Sequence, residues 1–470
     1  MPRASRNVLF IHYHFLPVLN VGVKRLVGYA RLLPDFGWRP SVLSRQWDGI
    51  EGEDPSWGLT WEPDLECEVP CRIHRVADPS APARARRGLR PADGRPMDAS
   101  RTNPVGVVRR IYARGARIGG LLAGRYPDEF IHWARPAIAA GVEIARRDRI
   151  DVIVSYCPPA TNHLVGRELA RRLGVPWVPF FGDLYGFLDG RFPWYSVEGM
   201  LQRRWHRWCM APAAACVAVS PAMTRHLEAV YGKSSALVLT GFDPDDFHDS
   251  TAAAARRSRF VVSHVGSVYP GDQRPEIFLE GLDRLLARDL EIAPRIEVLF
   301  VGSKCDDRLR GMVAGRPSAS VCSFHSRVDS RTAVAFARDT DVLLAFTCSA
   351  YRDRHGTLSY PTKIFEAFGV RRPILAVPAD GDFVDELLLR TGGGRSARDS
   401  EHVAAILGEW FAVWSREGRV PYVGKPAEIA EFTRIRRVER LSLVLESVCA
   451  GSPGEPRLGP IGAGFPGPSR

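Results

Sequence analysis

The fold of this chain is decided between His355 and Ala376, which read HGTLSYPTKIFEAFGVRRPILA. A glycine-bearing loop runs here into a helix and then into an apolar strand. Proline at a first helical position has its φ already set and lacks an N–H that would find no partner there, so Tyr360-Pro361 predicts a helix starting at Pro361. Lys363 and Glu366 follow three residues apart, a spacing that makes their side chains neighbours on one helical face. RRPILAVP then reads as a fully buried strand, which makes the stretch one strand-loop-helix-strand unit of an α/β sheet. The free N–H groups and positive dipole end of such a helix attract an anion, and Lys363 in its first turn adds a formal charge. Glu366, a turn deeper, is placed to accept hydrogen bonds from vicinal hydroxyls such as those of a ribose. A phosphate at the helix start with a ribose beyond it is the stereochemistry of a nucleoside diphosphate. The same two residues also read as a solvated i,i+3 ion pair.

Outward from this stretch, 470 residues exceed one ordinary core and predict two α/β domains. Hydrophobic content of 45% and charged content of 25% are those of a globular chain. No run of 18 apolar residues occurs and the start MPRASRNVLFIHYHF lacks a signal peptide's apolar core, so a cytoplasmic protein is expected. The nine cysteines are scattered, and the one close pair, Cys67 and Cys71, has no second pair to complete a zinc site. Residues 72 to 149 hold 17 Arg against seven acidic residues, so this segment carries nearly all of the net charge of +11. Such a patch suits anionic headgroups, nucleic acid or acidic substrates.

From the amino end, NVLFIH (Asn7 to His12) predicts a strand, and VKRLVGYARLLPDFG an amphipathic helix closing at Gly37. SVLSRQ follows as a second strand, a βαβ opening of a doubly wound sheet. Gly22 stands where loop meets helix, and without a Cβ it lets a ligand come close. Residues 79 to 103 lack apolar periodicity and predict a mobile loop. The basic stretch 84–125 includes PVGVVRRIYARGARIGGLLAG, which reads either as a helix lying on an anionic membrane or as a packed helix with an exposed arginine face. From Asp151 the alternation resumes with DVIVSY, a helix from Ala160 to Leu173, VPWVPFFGD, a helix around Met200 to Met210, and ACVAVS. Asp183 and Tyr185 fall on a loop at a strand's carboxyl end, where ligands gather. LVLTGFDPDDF closes the first half, its acidic run lying in a connector broken by Pro244.

FVVSHVGSVYPGDQRPEIFLEGLDRLLAR then restarts with strand, glycine loop and helix, and a second series follows through RIEVLFVG, SVCSFHSRV and DVLLAFT. Gly266, Ser267 and Arg274 fall where a loop faces the same crevice as Lys363, so cations from two loops meet one diphosphate. The expected domains are 1–240 and 241–425. One helix is expected over Pro426 to Val448, within 426–450 and free to cross back, and the tail 451–470 is expected to be disordered.

The ordered blocks FIHYHFLPV, DVIVSYCPPAT, FFGD, VSPAM, TGFDPDDF, HVGSVYPG and SYPTKIFEAF resemble the family 4 type of GT-B glycosyltransferases, whose connector reads N-G-F-D-P-x-D-F. The resemblance implies two Rossmann-like doubly wound domains facing across a cleft, with a nucleotide-sugar donor on the C-terminal domain and the acceptor on the N-terminal one. It implies that Glu366 holds the ribose, that Arg274 and Lys363 neutralise the diphosphate, and that Gly22 lies against the donor. It places the base-binding loop at His325 to Val328, which includes Arg327. Gly266, Ser267, Ser359 and Thr362 complete the expected donor site. The family's pair of glutamates, separated by seven intervening residues, would put the first at Leu358; that carboxylate touches the transferred sugar and supports retention. A subgroup reading G-T-L-S-x-x-K-x-F-E is closer to this chain.

Glycosyl transfer needs a stabilised leaving diphosphate and an oxocarbenium-like sugar. Arg274, Lys363 and the helix start supply positive charge, so metal-independent transfer is expected, with a UDP- or GDP-linked donor and no other cofactor, and the resemblance implies a retaining outcome. An inverting reaction would need a base, for which His12, His14 and Asp183 stand at strand ends. The expected acceptor is a hydroxyl of a lipid-linked saccharide or a small-molecule metabolite, with peripheral contact at the inner membrane face through residues 84–125 and no nucleic acid. Two other readings stand beside this one. One is a sugar-nucleotide epimerase or phosphorylase on the same fold, and the other a non-catalytic partner binding membrane or nucleic acid.

Overall fold

The computed structural model describes residues 5–47, 60–80, 127–184, 197–251, 258–269, 272–302, 306–348, 352–353 and 355–451. Most of the expected mobile loop 79–103, the basic stretch 84–125, Tyr185 and all but the first residue of the tail 451–470 lie outside them. The chain packs as two units. Of the described residues, the first takes in those up to Val219, Met223–Val238 and 438–451, and the second takes in Ser220–Ala222 and those within Leu239–Arg437.

The main sheet of the first unit has seven strands: β1 Arg6–Ile11, β2 Trp38–Arg45, β3 Arg72–Val76, β4 Val152–Cys157, β5 Trp177–Phe181, β6 Cys216–Ala218 and β7 Ser235–Leu237. They lie in the order β3-β2-β1-β4-β5-β6-β7, every neighbouring pair parallel. The continuous burial of β4 and β5 follows from that topology, since helical crossovers cover both faces of a parallel sheet. The first crossover is the helix Val21–Leu32, whose start is fixed by Asn20, its side chain accepting from the Val23 N–H at 2.9 Å.

The second unit repeats the plan with β8 Phe260–Val265, β9 Ile296–Val301, β10 Cys322–His325, β11 Val342–Phe346, β12 Ile374–Val377 and β13 Gly394–Ser396. Their order is β10-β9-β8-β11-β12-β13, again parallel throughout. In both units the strand order reverses beside the first strand, at β1/β4 and at β8/β11, and loops at the carboxyl ends of such strands are where open α/β sheets bind ligands. The second core is closed by the helices Pro275–Arg288 and Ser400–Glu417, with Phe411 and Trp414 of the latter each 5.9 Å from the Phe260 ring.

Two expected boundaries are corrected. The helix of the opening stretch spans Lys363–Val370, not from Pro361, because the Ile364 N–H bonds the Pro361 carbonyl in a tighter turn just before it. The expected helix over Pro426 to Val448 is two, Pro426–Ala430 and Arg434–Cys449. The break lies where the Phe432 carbonyl and the Arg434 N–H turn aside to bond Phe242 of the connector, at 3.2 and 2.7 Å.

Candidate functional site

In the second unit the site is built on the end of β8. Gly266 continues that strand with its N–H on the Val301 carbonyl at 2.8 Å and a φ of +142°, a conformation that a residue with a Cβ rarely adopts. A Cβ built there would stand 3.4 Å from Cε of Lys363, so the lysine stem crosses directly over this glycine. Lys363 Nζ donates to Glu366 Oε2 at 2.7 Å, and both side chains are half-exposed at 40% and 37%. The structure therefore brings together Gly266, Ser267, Lys363 and Glu366. Thr362 caps the same helix without a side-chain bond, and Ser359 is half-buried just before it.

Arg274 caps the helix that follows the β8 loop, and its Nε reaches Glu276 at 2.8 Å. The loop is held by Gln273, which the sequence reading passed over. Its Nε2 donates to the Phe346 carbonyl at the end of β11, and its Oε1 accepts from the Tyr269 N–H at 2.9 Å. Arg327 lies in the segment after β10, its Cα 3.9 Å from where a Cβ on Gly302 would stand. His264, one residue from the end of β8, was also missed, although a histidine in an otherwise apolar strand was its signal. Its Nδ1 lies 3.0 Å from the Leu344 carbonyl, and burial holds its pKa down to about 4, so the ring is neutral.

The loop before Lys363 is pinned on three sides. Asp382 Oδ2 accepts from the Thr357 N–H at 2.6 Å, the Leu358 carbonyl accepts from Ser220 Oγ at 2.8 Å, and the Tyr360 hydroxyl accepts from the Thr240 N–H at 3.3 Å. Leu358, where the resemblance calls for a carboxylate, is buried.

The remaining expected residues lie in the first unit. His12 is buried after β1, stacked on Tyr156 at 4.8 Å, and burial with help from Arg25 holds its pKa down to about 3. His14 is buried too, edge-on to Phe130 at 5.1 Å. Asp183 is half-buried after β5 and accepts from the Leu184 N–H. Gly22 falls in the first turn of its helix, where a Cβ would come within 2.9 Å of the Tyr156 ring. Its closeness thus makes room for Tyr156. No group of three or more metal-ligating side chains occurs among the described residues, and they contain no helix long and apolar enough to cross a membrane.

No protein-family model matches this sequence, and no curated protein matches it. Its fold has clear relatives among solved structures. It superposes on the sucrose-phosphate synthase of Thermosynechococcus elongatus with a TM-score of 0.59 at 14% identity, covering 95% of this chain and 100% of that one. Anabaena HepE, solved in complex with UDP and glucose, gives 0.59 at 14% over 94% and 100%. The α,α-trehalose 6-phosphate synthase of Burkholderia multivorans gives 0.56 at 14% over 95% and 100%. The chain thus has the two-domain α/β fold of the GT-B class, with two parallel sheets flanked by helices.

Proposed function

We propose that the protein transfers a glycosyl group from a UDP- or GDP-linked sugar to a hydroxyl acceptor, without a metal. The observation that carries this is the Lys363–Glu366 pair lying over Gly266 at the reversal of strand order in the second unit. A half-exposed pair of this kind is worth about 0–1 kcal/mol. A diphosphate can therefore draw Lys363 away at little cost, and the half-exposed Glu366 carboxylate can accept from ribose hydroxyls. Arg274, which among the described residues pairs with Glu276 at the surface, is available on the same terms. The leaving diphosphate would then be stabilised by ammonium, guanidinium and the N–H groups at the start of the Lys363–Val370 helix. The GT-B fold and the UDP and glucose bound by HepE support this reading. The expected acceptor side is the first unit and retention of configuration is the expected outcome, Asp183 and His14 being the candidate bases for an inverting reaction.

Thermal denaturation with nucleotides tests it. UDP or GDP should raise the melting temperature of the wild type and leave that of Glu366→Ala unmoved. A wild-type melting curve indifferent to every nucleoside diphosphate would end the proposal.

A further inference from the structure

Arg45 ends β2 at its carboxyl edge and is 7% exposed. Its guanidinium lies 4.3 Å from the Trp47 ring centroid and 5.6 Å from that of Tyr13. Its Nε is buried with no acceptor, and among the described residues no carboxylate stands within ion-pair distance of it. Arg75, on the adjacent strand, shows the ordinary solution, a 2.6 Å pair with Glu66. The buried Asp78 touches the same Tyr13 but accepts from its hydroxyl and from the N–H and hydroxyl of Ser80.

A guanidinium largely drawn out of water without a counter-charge carries a desolvation cost, here greatest at the fully buried Nε. The two aromatic faces offset part of that cost without supplying a counter-charge. They also hold the guanidinium in place, and its planar fork is the geometry that grips an oxyanion with two hydrogen bonds. The position is one strand from the His12-Tyr13-His14 loop, at the edge where ligands enter open α/β sheets. We infer that Arg45 binds an oxyanion, a phosphate monoester or a carboxylate, carried by the acceptor. The word acceptor rests on the proposed glycosyl transfer; the anion site does not.

Inorganic phosphate is the probe, titrated calorimetrically into the full chain at an ionic strength fixed with chloride, with acetate as the carboxylate arm. Phosphate or acetate should bind saturably, the tighter of the two naming the group, and that site should weaken about tenfold or more in Arg45→Met. Arg45→Lys, which keeps the charge and loses the fork, should fall between and serves if the methionine variant does not fold. Lys363→Met should leave this site intact, and UDP should still stabilise Arg45→Met. Anion binding equal in wild type and both Arg45 variants, absent altogether, or abolished by Lys363→Met alone would overturn the inference. Loss of UDP binding in every form, with an Arg45-dependent anion site retained, would sink the donor reading and leave this one standing.

Discussion

At the scale of single residues, Lys363 and Glu366 carry two meanings that one measurement separates. As a solvated pair they contribute under about 1 kcal/mol, so Lys363→Met should leave the urea midpoint of the second unit nearly unchanged. As a diphosphate ligand, Lys363 should cost at least about tenfold in UDP affinity when lost. An unchanged affinity would leave only the ion pair. The spacing of these two was legible because helical neighbours are set by 3.6-residue geometry alone. The closeness of Gly266 was not, since it depends on how a loop 97 residues earlier in the chain comes to lie beneath one lysine.

Among elements, the loop between β8 and its helix is fixed by Gln273 bridging to β11. Gln273→Leu would leave the Phe346 carbonyl and the Tyr269 N–H without that partner at a buried position. The second unit should lose about 1–3 kcal/mol, and UDP should bind more weakly because Arg274 follows directly. Urea titration with and without UDP reads both effects, and a variant as stable as wild type would refute the bridge. Apolar strands such as Val342–Phe346 and Ile374–Val377 were read from sequence because burial on both faces leaves them nothing polar to show. Arg72–Val76 and Gly394–Ser396 escaped for the opposite reason, being only partly buried and rich in polar residues. The long helix Ser400–Glu417 escaped with the second of these, having no recognised strand to announce it.

For the whole molecule, acid should act on the two units unequally. Burial holds His12 and His163 in the first unit to about 3 and His264 in the second to about 4, against an ordinary value of 6.5. Each ring is neutral when folded and takes a proton on unfolding below pH 6.5. Stability is therefore whole above that value and falls as pH drops toward the folded values, by about 1.4 kcal/mol per pH unit per proton. Asp128 in the first unit and Asp380 in the second, both raised by burial, oppose this in part. From about pH 6 to 4.5 the first unit's denaturation midpoint should fall more steeply than the second's, and His12→Phe should remove one proton's worth of that slope. Equal slopes, or no change in the variant, would contradict the assignment. The doubly wound class was readable at this scale from the alternation of strand and helix. The return of the chain to its first unit was not, because nothing in the periodicity of Arg434–Cys449 says which sheet it serves.

That returning helix belongs to the second unit through Arg437 and to the first from Val438 onward, where Val438, Leu441, Val444 and Leu445 are buried. During synthesis the first unit receives its other long portion by Val238 and must then wait for about two hundred more residues to leave the ribosome. At roughly 5–20 residues per second that is an interval of about 10–40 s with a hydrophobic surface uncovered. The nascent chain is thus exposed to chaperones and proteases for longest in the half that it begins first.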